Sequence, residues 1–189
     1  MSVAIRNGDV ILVDRKTQGW ISWSVKFGEK LRYGLMDPDT QYSHAAIVYD
    51  CQEPVKIVEA TAHSGVQLVY LSKYKKDEYV VVPAKVRPQD FKQVRRYLDS
   101  VLKERATYDF STVAGLSLYA ATGSKLCIQR AGSVTCSGLV CEALTRAGIV
   151  WKRPPYACTP ADISAQLQPG KASWLDADTR REARLASRA

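Results

Sequence analysis

The first cluster of apolar positions, GDVILVD at residues 8–14, is a turn followed by a short unbroken apolar run, and predicts a buried strand. Residues Gly19 to Lys30 then hold Trp20, Ile21, Trp23, Val25 and Phe27. That density predicts either a packed short helix or the wall of a cleft, core packing being the commoner use of such clusters. Four more apolar runs follow, Ser43–Tyr49, Val55–Ala60, Val66–Leu71 and Tyr79–Pro83, separated by the turn-forming segments DCQEP, HSG and KYKKDE. They predict a meandering antiparallel sheet or half-barrel.

From Pro88 the apolar spacing changes to three and four residues: Phe91, Val94, Leu98, Val101 and Leu102 recur behind Asp90, read as the cap, and predict an amphipathic helix. Its outward Lys92, Arg95, Arg96 and Lys103 read as a solvated face. Between residues 105 and 135 the pattern weakens, a small-residue stretch of helical character running into a loop, and no boundary is drawn. CSGLVCEALTRAG, from Cys136, places Leu139, Val140, Ala143, Leu144 and Ala147 on one helical face, with Gly148 at the left-handed stop. Thr159, Pro160 and Asp162 are the cap, first-turn proline and first-turn acid of a last helix through Leu167. The segments sum to an α+β class with strands first and helices after, in one domain over residues 1–174 and a charged tail over 175–189.

Composition narrows the function classes. Of 189 residues, 46% are apolar and 24% charged, which fits a chain with a buried core and excludes a disordered one. No apolar run reaches the roughly 18 residues of a membrane span, and MSVAIRNGD lacks a signal-peptide pattern, so the expectation is a soluble, uncleaved product, cytoplasmic or virion-associated. The formal charge of +8 favours anionic partners without naming one. Basic residues are scattered and no nucleic-acid motif is present, so nucleic acid is not the expected partner. Five cysteines, Cys51, Cys127, Cys136, Cys141 and Cys158, are read as reduced thiols. Without a CxxC pair or an HExxH motif, and with only His44 and His63, no metal or other cofactor is expected.

Among these residues Cys136 stands out, because a thiol at a helix start meets unpaired N–H groups and the positive end of the helix dipole, both of which favour the thiolate. The alternative is a small buried hydrophobe, the reading given to Cys141, some 140° around the helix. A thiolate nucleophile needs a base that reprotonates a leaving amine. His44 opens an apolar strand and is preferred to His63, which lies in a turn. Glu59 is the charged residue inside the next strand, where an unpartnered carboxylate is costly. A hairpin register in which partner numbers sum to about 103 sets His44 opposite Glu59; the adjacent register, summing to about 104, sets Ala45 there.

TCSGLVCEALTRAG resembles the nucleophile helix of NlpC-type papain-like cysteine peptidases, and YSHAAIVYD with KIVEATAHSGVQLV resembles their histidine strand and the strand after it. Histidine precedes cysteine here, as in the circularly permuted branch that includes the YiiX-like amidases. GDVILVD and TPADI also resemble that branch, so the likeness runs from about Gly8 to Leu167. It implies a permuted papain-like fold, Cys136 as nucleophile, His44 as general base and acid, and Glu59 as orienting group with His63 as fallback. It also implies a weaker oxyanion role for Tyr108, beside the N–H of Cys136. The activity implied is amide hydrolysis, most naturally in bacterial cell-wall peptide, by a phage protein, a delivered effector or a cytoplasmic amidase. A lipid-directed amidase, thioesterase or acyltransferase of the same fold, with Trp20 to Phe27 as an acyl wall, and a catalytically silent binding module are the alternatives.

Overall fold

The computed structural model describes residues 4–14, 42–74, 79–108 and 133–168. Five strands, β1 (Val10–Val13), β2 (His44–Asp50), β3 (Lys56–Thr61), β4 (Gly65–Tyr70) and β5 (Tyr79–Val82), form one antiparallel sheet in the order β4-β3-β2-β1-β5. Strands β6 (Thr107–Tyr108) and β7 (Ser133–Val134) pair in parallel, and the helices are α1 (Pro88–Lys103), α2 (Cys136–Thr145) and α3 (Pro160–Leu167). The α+β class is thus observed. The aromatic stretch Gly19–Lys30, the small-residue stretch within 109–132 and the tail 175–189 lie outside the described residues.

The meander is confined to β1 through β4. The chain then crosses the sheet, and β5 pairs with β1, Val10 facing Val82 and Val13 facing Tyr79. The burial of β1 explains the crossover: all four of its residues are buried, so both faces and both edges of this strand need partners. One face of the sheet, with Val10, Leu12, Ala45, Ile47, Val58 and Ala60, packs on α1 and α2; the other, with Ile11, Val13, Ala46, Val48 and Ile57, packs on Leu71 and Tyr74.

Two caps differ in their fit to the pattern. Helix α1 starts at Pro88, with Arg87 as an extended N-cap and Asp90 in the first turn, accepting from Arg87 Nε at 2.5 Å; Asp90 is therefore not the cap. Proline sets the start, because its fixed φ suits the first helical position and it holds the preceding residue extended. Helix α3 starts as expected, Thr159 Oγ1 accepting from Asp162 N while the Asp162 carboxylate accepts from Thr159 N.

Gly65 joins the main sheet to the small one. It sits at φ +62°, and a Cβ there would lie 2.6 Å from the carbonyl oxygen of Ala106, the acceptor for Val66 N. Gly65→Ala is expected to cost about 2 kcal/mol, read as a lower urea midpoint at unchanged m value. An unchanged midpoint would mean that the start of β4 and Ala106 are free to separate.

Candidate active site

Three residues separated by up to 92 positions in sequence meet at one end of the sheet. Cys136 is the first residue of α2, whose N-cap Thr135 accepts from Gly138 N at 3.0 Å. A Cβ on Gly138 would lie 2.8 Å from Thr135 Oγ1, so the absence of a side chain there lets the cap close. Ser137 donates to the Cys158 carbonyl at 2.6 Å and fixes the same turn from its other side.

Cys136 is 5% exposed, and its thiol interacts with the imidazole of His44 and with the main-chain N–H groups of Ala45 and Ser137. Burial pushes this thiol up, but the imidazole and the two N–H groups outweigh burial and hold it below the ordinary thiol range. His44 Nε2 is 2.9 Å from Glu59 Oε2, which leaves Nδ1 for the sulfur. Burial lowers the basicity of this imidazole; the bonds to Cys136 and Glu59 more than reverse that and raise it to about 9. Both shifts favour the thiolate–imidazolium form of the pair.

Glu59 is fully buried and has four partners. Oε2 accepts from Tyr74 Oη in addition to contacting His44, and Oε1 accepts from Gln67 Nε2 at 2.8 Å and from Lys73 Nζ. Burial disfavours its charge, yet His44, Lys73 and Tyr74 together hold the carboxyl well below the usual range. The register differs from both expectations: Ala46 faces Glu59, a sum of 105, with a bulge between Val48 and Asp50. The sum keeps odd parity, so His44 and Glu59 share a face as diagonal neighbours. Ala46, with no side chain beyond Cβ, leaves the space across which the imidazole and carboxylate meet.

The other candidates fall as follows. His63 is exposed in the turn between β3 and β4, while Glu59 takes the His44 nitrogen for which His63 was the fallback partner. Tyr108 pairs with Val134, two residues before Cys136, and its ring packs against the core cluster. Cys141 is buried and contacts the Cys158 thiol, a packing position. Among the described residues no cluster of histidine, cysteine and carboxylate groups could hold a metal ion. No described helix is long and apolar enough to cross a membrane.

Gln67, Lys73 and Tyr74 are neighbours of Glu59 that pattern reading missed. KYKKDE reads as a turn-forming segment, and Gln67 lies within the apolar run Val66–Leu71 without being singled out. One signal was present: a regular hairpin through HSG sets Gln67 opposite Glu59, as observed. No protein-family model matches this chain, and no curated protein matches it. The site is read from its own geometry.

The ion pair predicts an unusual pH dependence. Alkylation of Cys136 by iodoacetamide, followed by mass spectrometry of its peptide, is expected to persist far below the ordinary thiol range near pH 8.5. A second inflection is expected near pH 9, where His44 loses its proton. A single inflection at the ordinary thiol position would show that no ion pair forms.

Proposed function

We propose that this protein is a thiol hydrolase of the circularly permuted NlpC-type, papain-like kind, cleaving an amide through an acyl-enzyme. The observation that carries the reading is the buried chain of contacts from Cys136 to His44 to Glu59. Structural cysteines pack against apolar groups; this one faces an imidazole whose far nitrogen is held by a carboxylate.

In the reaction the Cys136 thiolate attacks the carbonyl carbon, and the oxyanion forms beside the Cys136 N–H at the helix start, where an orphan donor and the helix dipole meet it. The His44 imidazolium gives its proton to the leaving nitrogen as the carbon–nitrogen bond breaks, leaving a thioester on Cys136. Neutral His44 then takes a proton from water; the hydroxide equivalent attacks the thioester, and the thiolate leaves as the acid is released. Glu59 keeps the ring oriented and stabilises its charge throughout.

Bacterial cell-wall peptide is the proposed substrate, its anionic polymer attracting a chain of charge +8. The test incubates the protein and its Cys136→Ala variant with purified peptidoglycan fragments and with N-acylated amino acids, products being identified by mass spectrometry. New amine ends on peptidoglycan peptides, absent with the variant, support the reading. Release of fatty acid alone moves the substrate to lipids, and no product from either, with Cys136 unreactive at neutral pH, makes the protein a binding module.

A further inference from the structure

The described site holds one charge more than a cysteine–histidine–carboxylate mechanism requires. A thiolate, an imidazolium and a carboxylate sum to one net negative charge, which is costly where Glu59 is 0% exposed and His44 only 7%. Lys73, at the end of the 3-10 turn Leu71–Lys73, places its ammonium on Glu59 Oε1, the oxygen that His44 does not use. With it the four groups sum to zero.

We propose that Lys73 is a positioning residue that acts through Glu59, its charge offsetting the carboxylate and so setting the pH window over which thiolate and imidazolium coexist. The inference rests on the hydrolase reading. The geometry favours a charge role over a merely structural one. Glu59 is already tied by the neutral donors Gln67 and Tyr74, one on each oxygen, so Lys73 is not needed to place it. The lysine comes in from the rim, its side chain 36% exposed, and lies over the Tyr74 ring at 5.6 Å. Among the described residues, the other groups in contact with the ring or the carboxylate are Cys136 from α2, Tyr74 from the turn and neutral Gln67 from β4; Asp14 follows Val13, the β1 residue paired with His44.

Charge and structural roles move the pH profile in different ways. Removing a positive charge disfavours the thiolate and favours the imidazolium, so both limbs of the Cys136 alkylation profile move to higher pH. Loosening the Cys136–His44 contact instead raises the thiol and lowers the imidazole, so the limbs approach each other. Lys73→Gln keeps an N–H donor and removes the charge; Lys73→Arg keeps both.

The experiment measures alkylation of Cys136 against pH in the full chain, with the His44 ring followed by NMR. Lys73→Gln is expected to move both limbs upward by about half a unit to one unit, a roughly three- to tenfold slower alkylation on the acid limb, and Lys73→Arg to restore them. Limbs that converge, or do not move, overturn the proposal. Should Lys73→Gln fail to fold, the unmodified protein is titrated from low to about 1 M salt, which screens the exposed ammonium more than the buried groups. Both limbs then move upward, and fixed limbs overturn the proposal. A wild-type profile with no ion pair at all defeats the hydrolase reading itself, a result distinct from a normal wild type with an unresponsive Lys73 variant.

Discussion

Replacement of Cys136 by alanine is expected to lower substrate turnover by about 10⁴-fold or more and to leave the protein folded. The size of the loss follows from the role: without the sulfur no acyl-enzyme forms, and what remains is binding and the oxyanion donor, whose residual effect is small beside the covalent route. The small structural cost follows from position. Alanine is the best helix former, and the thiol makes polar contacts at the start of α2 rather than filling its apolar face, so stability is expected to change by no more than about 1 kcal/mol. The variant also reports on its partner. His44, raised to about 9 in the intact site by Cys136 and Glu59 against the pull of burial, is expected to titrate lower once the thiolate is gone. Product release by mass spectrometry, thermal melting and NMR of the His44 ring measure the three effects. Turnover at the wild-type rate would remove Cys136 from the mechanism.

Glu59 carries the second large effect, on stability as well as activity. Glu59→Ala leaves an imidazole, an ammonium, a hydroxyl and an amide facing an empty buried space, and breaking a buried ion pair from one side costs about 3–5 kcal/mol. Glu59→Gln keeps the volume and loses the charge. It is expected to fold with a smaller penalty, to lower turnover by about 10²–10⁴-fold, and to bring the two limbs of the pH profile together as the imidazolium loses its support. Urea unfolding and alkylation profiles separate the two variants; equal stability of Glu59→Ala and the parent would contradict the buried network.

The same shifts give the pH dependence of folding. The carboxyl of Glu59 is depressed below 4.5, so its stabilisation is present above that value and is lost as the pH falls. His44 is raised from 6.5 to about 9, so its stabilisation is complete below 6.5 and is lost as the pH rises through about 9. The contribution of the pair is therefore largest between about pH 5 and 6.5, which denaturant midpoints across pH will show.

Local pattern was enough for the elements that bear the site. Apolar runs and turn residues located β1 to β5 to within a residue or two, and the apolar face and Gly148 stop located α2, with Gly148 observed at φ +85°. The cap of α1 was misplaced because an acidic residue near a helix start serves equally in the first turn, and the proline decided between the two. The strand β5 was read as continuing the meander because its short apolar run carries no mark of which edge it joins. The pattern marks KYKKDE only as a turn-forming segment; Lys73 and Tyr74 turn inward toward a carboxylate that is remote in sequence.

Residue type and local spacing determined, by themselves, that a thiol leads a helix, that a histidine opens a strand, and that an acid interrupts an apolar strand. Those features depend on interactions within a few residues, which the chain order displays. Only the tertiary structure decided that the three meet, that a bulge and a small Ala46 set histidine and acid diagonally, and that Gln67, Lys73 and Tyr74 complete the carboxylate's shell. Such contacts are set by register, crossover and packing, and a shift of one residue in strand pairing sends every side chain to the opposite face without altering a letter of the pattern.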